Sequence, residues 1–342
     1  MTMTIDMHSH IIPKGLADAL RARTKPPMMI RGEDGKEYMN SLLNARAPMT
    51  PGFDSVEKRL EEMDKDGVTH AVLSNQMQDI SALPLEDSVP LCRAYNDGIS
   101  AECQKYPNRL QAFAAIPMSS VEAAVAEFDR AMSLPGIVGA IVPGDAFLTA
   151  KRAEHWAPLL ETADRHRAVI LAHYGRLPND PEAPKPDLTD NRRLRIGTLD
   201  MQSRISSSML TFCLTDFLDK YSNLTMMTHN LGGNIPFEVE RMDHRTMVDE
   251  TLGTELPSKR FKKARLLVDC NSLGPRSIER AVDVYGADKI VFGSDGTHFG
   301  MDWTQKAIDE ARISDADKAL IRGGNAQRTL ARVVGRMAVA AQ

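Results

Sequence analysis

Very little in this chain points to an oxidising compartment, a membrane or a nucleic acid. Its 342 residues include only four cysteines, Cys92, Cys103, Cys213 and Cys270, with no Cys-x-x-Cys spacing. Neither a disulfide framework nor a thiolate zinc site is therefore expected, and the cysteines read as free thiols in a reducing compartment. No apolar run approaches the roughly 18 residues of a membrane span, and no charged-then-apolar leader opens the chain, so a cytoplasmic location is expected. The charge excess is small, with 42 lysines and arginines against 46 acidic residues. The basic residues are dispersed, which argues against nucleic acid or an anionic membrane surface as a partner and leaves a small molecule. A Gly-x-Gly-x-x-Gly loop is missing after every apolar run, which removes the usual dinucleotide site.

What the chain does have is alternation. Short β-branched or apolar runs lie at Met3 to His8, His70 to Ser74, Leu110 to Ile116, Ile137 to Val142, Ala168 to His173, Leu224 to His229, Arg265 to Cys270 and Lys289 to Gly293. Amphipathic stretches of helical length separate them, among them Val56 to Asp66, Val89 to Lys105, Val121 to Ser133, His155 to His166 and Pro275 to Tyr285. Eight strand candidates with a crossover after each predict an α/β fold, a (β/α)8 TIM barrel, spanning 1–342 as a single domain. Two segments break the rhythm. Residues 11–53 are rich in turn signals and predict a small insertion after the first strand, near the barrel mouth; residues 175–198 carry four prolines and predict a loop leading into a helix from Met201 to Lys220.

The chemistry gathers where such a barrel would place it. His8 and His10 stand two apart at the end of the first run, so on a strand they face the same way and can offer two imidazole nitrogens to one cation. His173 ends the fifth run, His229 the sixth and Asp295 the eighth. The C-terminal strand ends of a barrel carry its active site. Three histidines and a carboxylate suffice for one divalent ion with a position left for water or substrate, and the fifth group is then available for another task.

In Ile5-Asp6-Met7-His8-Ser9-His10-Ile11-Ile12-Pro13, Arg59-Leu60-Glu61-Glu62-Met63-Asp64, Thr228-His229-Asn230-Leu231-Gly232-Gly233 and Phe292-Gly293-Ser294-Asp295 the chain resembles the metal-dependent amidohydrolase superfamily. Within it, the resemblance is to the branch of aminocarboxymuconate semialdehyde decarboxylase. It implies a TIM barrel in which His8, His10, His173 and Asp295 are the metal ligands and His229 is the acid/base that activates the metal-bound water, with either His229 or Asp295 as the catalytic group that delivers a proton to the substrate carbon. It also implies one metal, because the fourth run, Gly139-Ala140-Ile141-Val142-Pro143, lacks the lysine or acid that bridges two metals in other members. Asp145 just beyond reads as a turn residue. With His8 in place, where some members of the branch carry glutamate and prefer manganese, Zn2+ is expected and Mn2+ is the alternative. Asp6 is expected behind the ligands, orienting one of them or a loop at the barrel rim.

The expected activity is that of a non-oxidative decarboxylase acting on a hydroxylated aromatic, heteroaromatic or muconate-like acid, with a hydrolase or hydratase of a small cyclic or unsaturated acid as the alternative. A carboxylate substrate favours an arginine fork. The resemblance offers Arg241, near an arginine that in similar proteins reaches a neighbouring subunit's substrate, and Arg46 more loosely; it thereby implies a homodimer or larger homo-oligomer. His298, in Gly296-Thr297-His298-Phe299-Gly300, departs from the aromatic and proline usual there and is a further candidate substrate contact.

Overall fold

The computed structural model describes residues 3–41, 47–48, 55–75, 78–178, 190–296 and 300–340. Its strands in chain order are β1 (Ile5–His10), β2 (Met28–Arg31), β3 (Glu37–Asn40), β4 (Ala47–Pro48), β5 (His70–Ser74), β6 (Leu110–Ala115), β7 (Ile137–Pro143), β8 (Val169–His173), β9 (Thr225–Thr228), β10 (Leu266–Asp269) and β11 (Ile290–Val291). Eight of them form one sheet in the order β1-β5-β6-β7-β8-β9-β10-β11, and each pair is parallel. The sheet closes on itself through Met7 N–H to Phe292 O (2.9 Å) and Asp295 N–H to His8 O (2.8 Å). This is the expected (β/α)8 TIM barrel, with its strands buried on both faces and hence mostly apolar, the polar exceptions gathering on β1 and at strand ends.

The sequence also dictates how the helices seat. Ser55 and Ser120 accept hydrogen bonds from the third backbone N–H of the helices Val56–Lys65 and Val121–Ala131, the usual way such residues fix a helix start. Asn96, buried on the helix Leu85–Lys105, both donates to Ala115 O and accepts from Ala115 N–H at 2.9 Å, bolting that helix to the end of β6. The expected insertion after β1 holds the helix Lys14–Arg21 and the antiparallel sheet β2-β3-β4.

Some boundaries move. The first strand runs on to His10, placing both histidines of the pair inside it. The helix from Met201 stops at Leu214, because Thr215 turns extended and its Oγ1 accepts from Phe217 N–H. The last part of the stretch expected as loop, from Arg192 on, is wound into helical turns that run to Asp200. Among the described residues no helix is long and apolar enough to cross a membrane.

Candidate metal centre

β1 delivers two of the converging side chains and a bulge aims them. Ile5 and Asp6 pair with His70 and Ala71, but Ser9 and His10 pair with Leu73 and Ser74, so Met7 and His8 are squeezed against a shorter stretch of β5. β8 ends in His173, and the turn after β11 brings in Asp295. Asp295 sits at φ +62°, a left-handed conformation uncommon for a residue with a side chain and a mark of a functional constraint. The next residue, at φ +64°, is Gly296, where a Cβ would lie 2.2 Å from Ser9 Oγ. Only glycine fits there.

One donor atom from each of His8, His10, His173 and Asp295 lies within 4.8 Å of the others. The Nε2 atoms of His8 and His10 are 3.1 Å apart, and Asp295 Oδ1 lies 3.0 Å from His10 Nε2 and 3.8 Å from His8 Nε2. Ligands about 2.0–2.2 Å from a shared divalent ion span such separations. The other ring nitrogens set the tautomers. His8 Nδ1 lies 2.8 Å from Asp269 Oδ2, an acceptor. His10 Nδ1 lies 2.8 Å from Ser74 Oγ, whose own proton goes to Ser9 O, and His173 Nδ1 lies 3.0 Å from Tyr174 O. Each ring therefore carries its proton on Nδ1 and turns an Nε2 lone pair inward. Three such lone pairs and a carboxylate this close, His8 and His10 buried and His173 and Asp295 partly so, repel one another unless a cation or a proton sits among them.

The electrostatics agree. Burial alone would lower His8, but the carboxylate of Asp269, helped by Asp295 and Asp6, pushes it up to about 9. Burial lowers His10, and burial with the neighbouring rings holds His173 well below its ordinary value. Burial would raise Asp295, but its hydrogen bond to His10 and the nearby imidazoles hold it well below the usual carboxylate range. The site draws positive charge and keeps its carboxylate anionic.

His229 stands beside the four rather than among them. Its ring stacks on His173 with centroids 4.3 Å apart and planes 17° apart, and its Nε2 accepts from Tyr174 N–H at 2.8 Å. The neutral ring accordingly bears its proton on Nδ1. Burial, then the nearby imidazoles, hold its pKa well below the ordinary value. Asp6 accepts from His8 N–H and from Ser294 N–H, both at 3.1 Å, and from Ser294 Oγ–H, tying β1 to the turn that bears Asp295. Asp145 does lie in a turn, Gly144–Phe147, where it receives both arms of Arg204 from the helix Met201–Leu214.

Of the three substrate candidates only Arg241 lies among the described residues, and the structure does not bring it to the cluster of its own chain. Arg241 is on the exposed side of the helix Ile235–Val248, and Arg46 and His298 lie outside the described residues. Conversely, Asp269 and Ser74, which hold His8 and His10, escape the sequence reading. For Asp269 a signal existed, since a carboxylate ending the seventh strand is where barrel chemistry gathers.

Residues 5–332 match the family model described as Amidohydrolase. Gamma-resorcylate decarboxylase of Polaromonas sp. (strain JS666 / ATCC BAA-500) is 27% identical over 291 residues, covering 80% of this chain and 87% of that one. Among solved structures, the apo form of Metarhizium anisopliae IDCase superposes with a TM-score of 0.78 at 20% identity, covering 96% of this chain and 97% of the other. A dihydroxybenzoic acid decarboxylase from Polaromonas sp. JS666, with bound manganese and the inhibitor 2-nitroresorcinol, superposes with a TM-score of 0.71 at 21% identity, covering 96% and 97%. The structural likenesses concern the fold.

Proposed function

The chain belongs to the amidohydrolase family, and from that premise we propose that it is a metal-dependent, non-oxidative decarboxylase, a carboxy-lyase, of a hydroxylated aromatic acid. The observation that carries this is the convergence of three Nε2 lone pairs and the Asp295 carboxylate, each imidazole fixed in the ligating tautomer. The relatives' substrates, resorcylate and dihydroxybenzoate, supply the substrate class.

His8, His10, His173 and Asp295 hold one divalent ion, and three imidazoles with one carboxylate suit Zn2+; the manganese bound by a relative makes Mn2+ the alternative. When bound, the ion supplies Lewis acidity toward the oxygens of a chelating acid. The chain's own work is the proton. The bond from the ring carbon to the carboxylate breaks, carbon dioxide leaves, and a proton takes its place on that carbon. Asp295 belongs to the ligand set, while His229 stacks on His173 outside that set, so Asp295 is assigned the ion and His229 the proton. Burial around His8, His10 and His229, each at most 2% exposed, keeps bulk water from competing.

Arg241, Arg46 and His298 are the candidate carboxylate and hydroxyl contacts. Arg241 is exposed and, among the described residues, without an ion-pair partner, on a helix that also exposes 61% of Phe237. That surface suits a second subunit whose site Arg241 completes, in a homodimer or larger assembly. Incubation with carboxyl-13C-labelled hydroxybenzoates, hydroxypicolinates and carboxymuconate analogues tests the reading. Labelled carbon dioxide is expected from at least one hydroxylated aromatic acid; hydrolysis or hydration of a panel member with no labelled gas would replace the decarboxylase with the alternative.

A further inference from the structure

Asp269 is wholly buried and lies at the end of β10, opposite the metal cluster's first ligand. Its two oxygens do different things. Oδ2 takes the Nδ1 proton of His8 at 2.8 Å, while Oδ1 takes the backbone N–H of Asn271 at 3.0 Å and that of Asn230 at 3.2 Å. Asn230 is the residue after His229 and begins a turn whose first two residues are left-handed, at φ +50° and +53°. Asn271 adds a second tie, from its Nδ2 to Asn230 Oδ1 at 2.8 Å. One carboxylate thus grips the metal ligand His8 with one oxygen and the turn that follows the acid/base His229 with the other.

We infer that Asp269 is the positioning residue that sets His8 as a ligand and holds His229 in register with it. The inference rests on the metal-centre reading above. It needs a carboxylate in particular, because all three of its partners are donors. An asparagine of the same shape has one oxygen to offer. Two backbone N–H groups outweigh one imidazole, so that oxygen goes to Asn230 and Asn271 and the NH2 faces His8 Nδ1. His8 must then carry its proton on Nε2, the atom that should bind metal. The isosteric variant is therefore worse for metal than one that deletes the group, in which a water can serve Nδ1 and the tautomer stays free.

The test is Asp269→Asn beside Asp269→Ala, each read by metal affinity against a chromophoric chelator, using Zn2+ and Mn2+, and by melting temperature in excess chelator. Loss of a group behind a ligand weakens affinity by about 10- to 100-fold. The alanine variant is expected near the lower figure with the larger drop in melting temperature, because it strands two backbone donors. The asparagine variant is expected near or beyond the upper figure while melting close to the wild type. At saturating metal, kcat of the alanine variant should fall with KM little changed, since the turn after His229 has lost its anchor while the substrate contacts have not, whereas the asparagine variant, which keeps that anchor, should lose less. Wild-type metal affinity in either variant, or affinity that follows melting temperature so that alanine is the weaker binder, overturns the inference. Should the asparagine variant not fold, the alanine variant still decides, because unchanged affinity in it suffices to refute. The metal titrations need no substrate, so they stand if the decarboxylase reading fails.

Discussion

A single methyl group at Gly293 should separate the two halves of the His8–Asp269 pair. A Cβ on that residue would lie 2.9 Å from Asp269 Cβ, 3.0 Å from Asp269 Cγ and 3.0 Å from His8 Cβ. Carbon atoms in contact prefer about 3.5–4.0 Å, so Gly293→Ala drives His8 and Asp269 apart by roughly 0.5 Å or more. Overpacking of this kind costs about 1–3 kcal/mol. At about 2.1 cal/mol/K of unfolding entropy per residue, a chain of this length has roughly 0.7 kcal/mol/K, and the melting temperature should fall by about 1–4 °C. Metal sites tolerate only about 0.2 Å of error in ligand distance, so affinity should fall much further, by about 10- to 100-fold, equivalent to roughly 1.4–2.7 kcal/mol. The assay pairs thermal melts in chelator with a competitive metal titration. Gly274→Ala is the control, because a Cβ there meets nothing within 4 Å. A Gly293→Ala protein that binds metal within twofold of the wild type would refute the packing argument, whatever its melting temperature.

Other consequences follow from the same geometry. His173→Ala removes an inward Nε2 and should lose bound metal on dialysis, whereas His229→Ala should keep about one ion per chain and lose turnover; metal analysis with activity on each variant separates the roles. In chelator, His8 is raised from 6.5 to about 9. Its protonated form then contributes about 3 kcal/mol of stability that is full below about pH 6.5 and gone above about pH 9. Metal binding must expel that proton, so affinity should rise about tenfold per pH unit over the same window, and the gap between loaded and chelated melting temperatures should widen from pH 6.5 to 9. A gap that narrows would contradict the assignment. Arg204→Met removes the two hydrogen bonds that Arg204 gives the carboxylate of Asp145, which is 1% exposed, and should cost about 1.5–3 kcal/mol. The double variant Arg204→Met with Asp145→Leu should recover most of it in chemical denaturation.

Much of this was legible before the structure, for reasons that are local. Barrel strands are short and apolar because both faces are covered, and His8, His10, His173 and Asp295 advertise themselves by standing at strand ends. What stayed hidden is tertiary. Asp269 finds its partner 261 residues away, and no spacing rule connects them. Ser74 looks like any small residue closing a strand until His10 is seen 2.8 Å from its hydroxyl. The β1 bulge that aims His8 comes from pairing with β5, and the stop at Leu214 from a threonine turning extended. Arg241 is a different case, since the sequence reading looks to a neighbouring subunit's substrate and in its own chain Arg241 stands on an exposed helix face.

The most direct test strips the protein of metal, restores one equivalent of Zn2+ or Mn2+, and follows carbon dioxide from a dihydroxybenzoate in D2O. The account predicts no release from the stripped protein, release that rises linearly to one ion per chain, and one deuterium on the carbon that lost its carboxylate. Full activity in the stripped protein, or product without deuterium at that carbon, would contradict it.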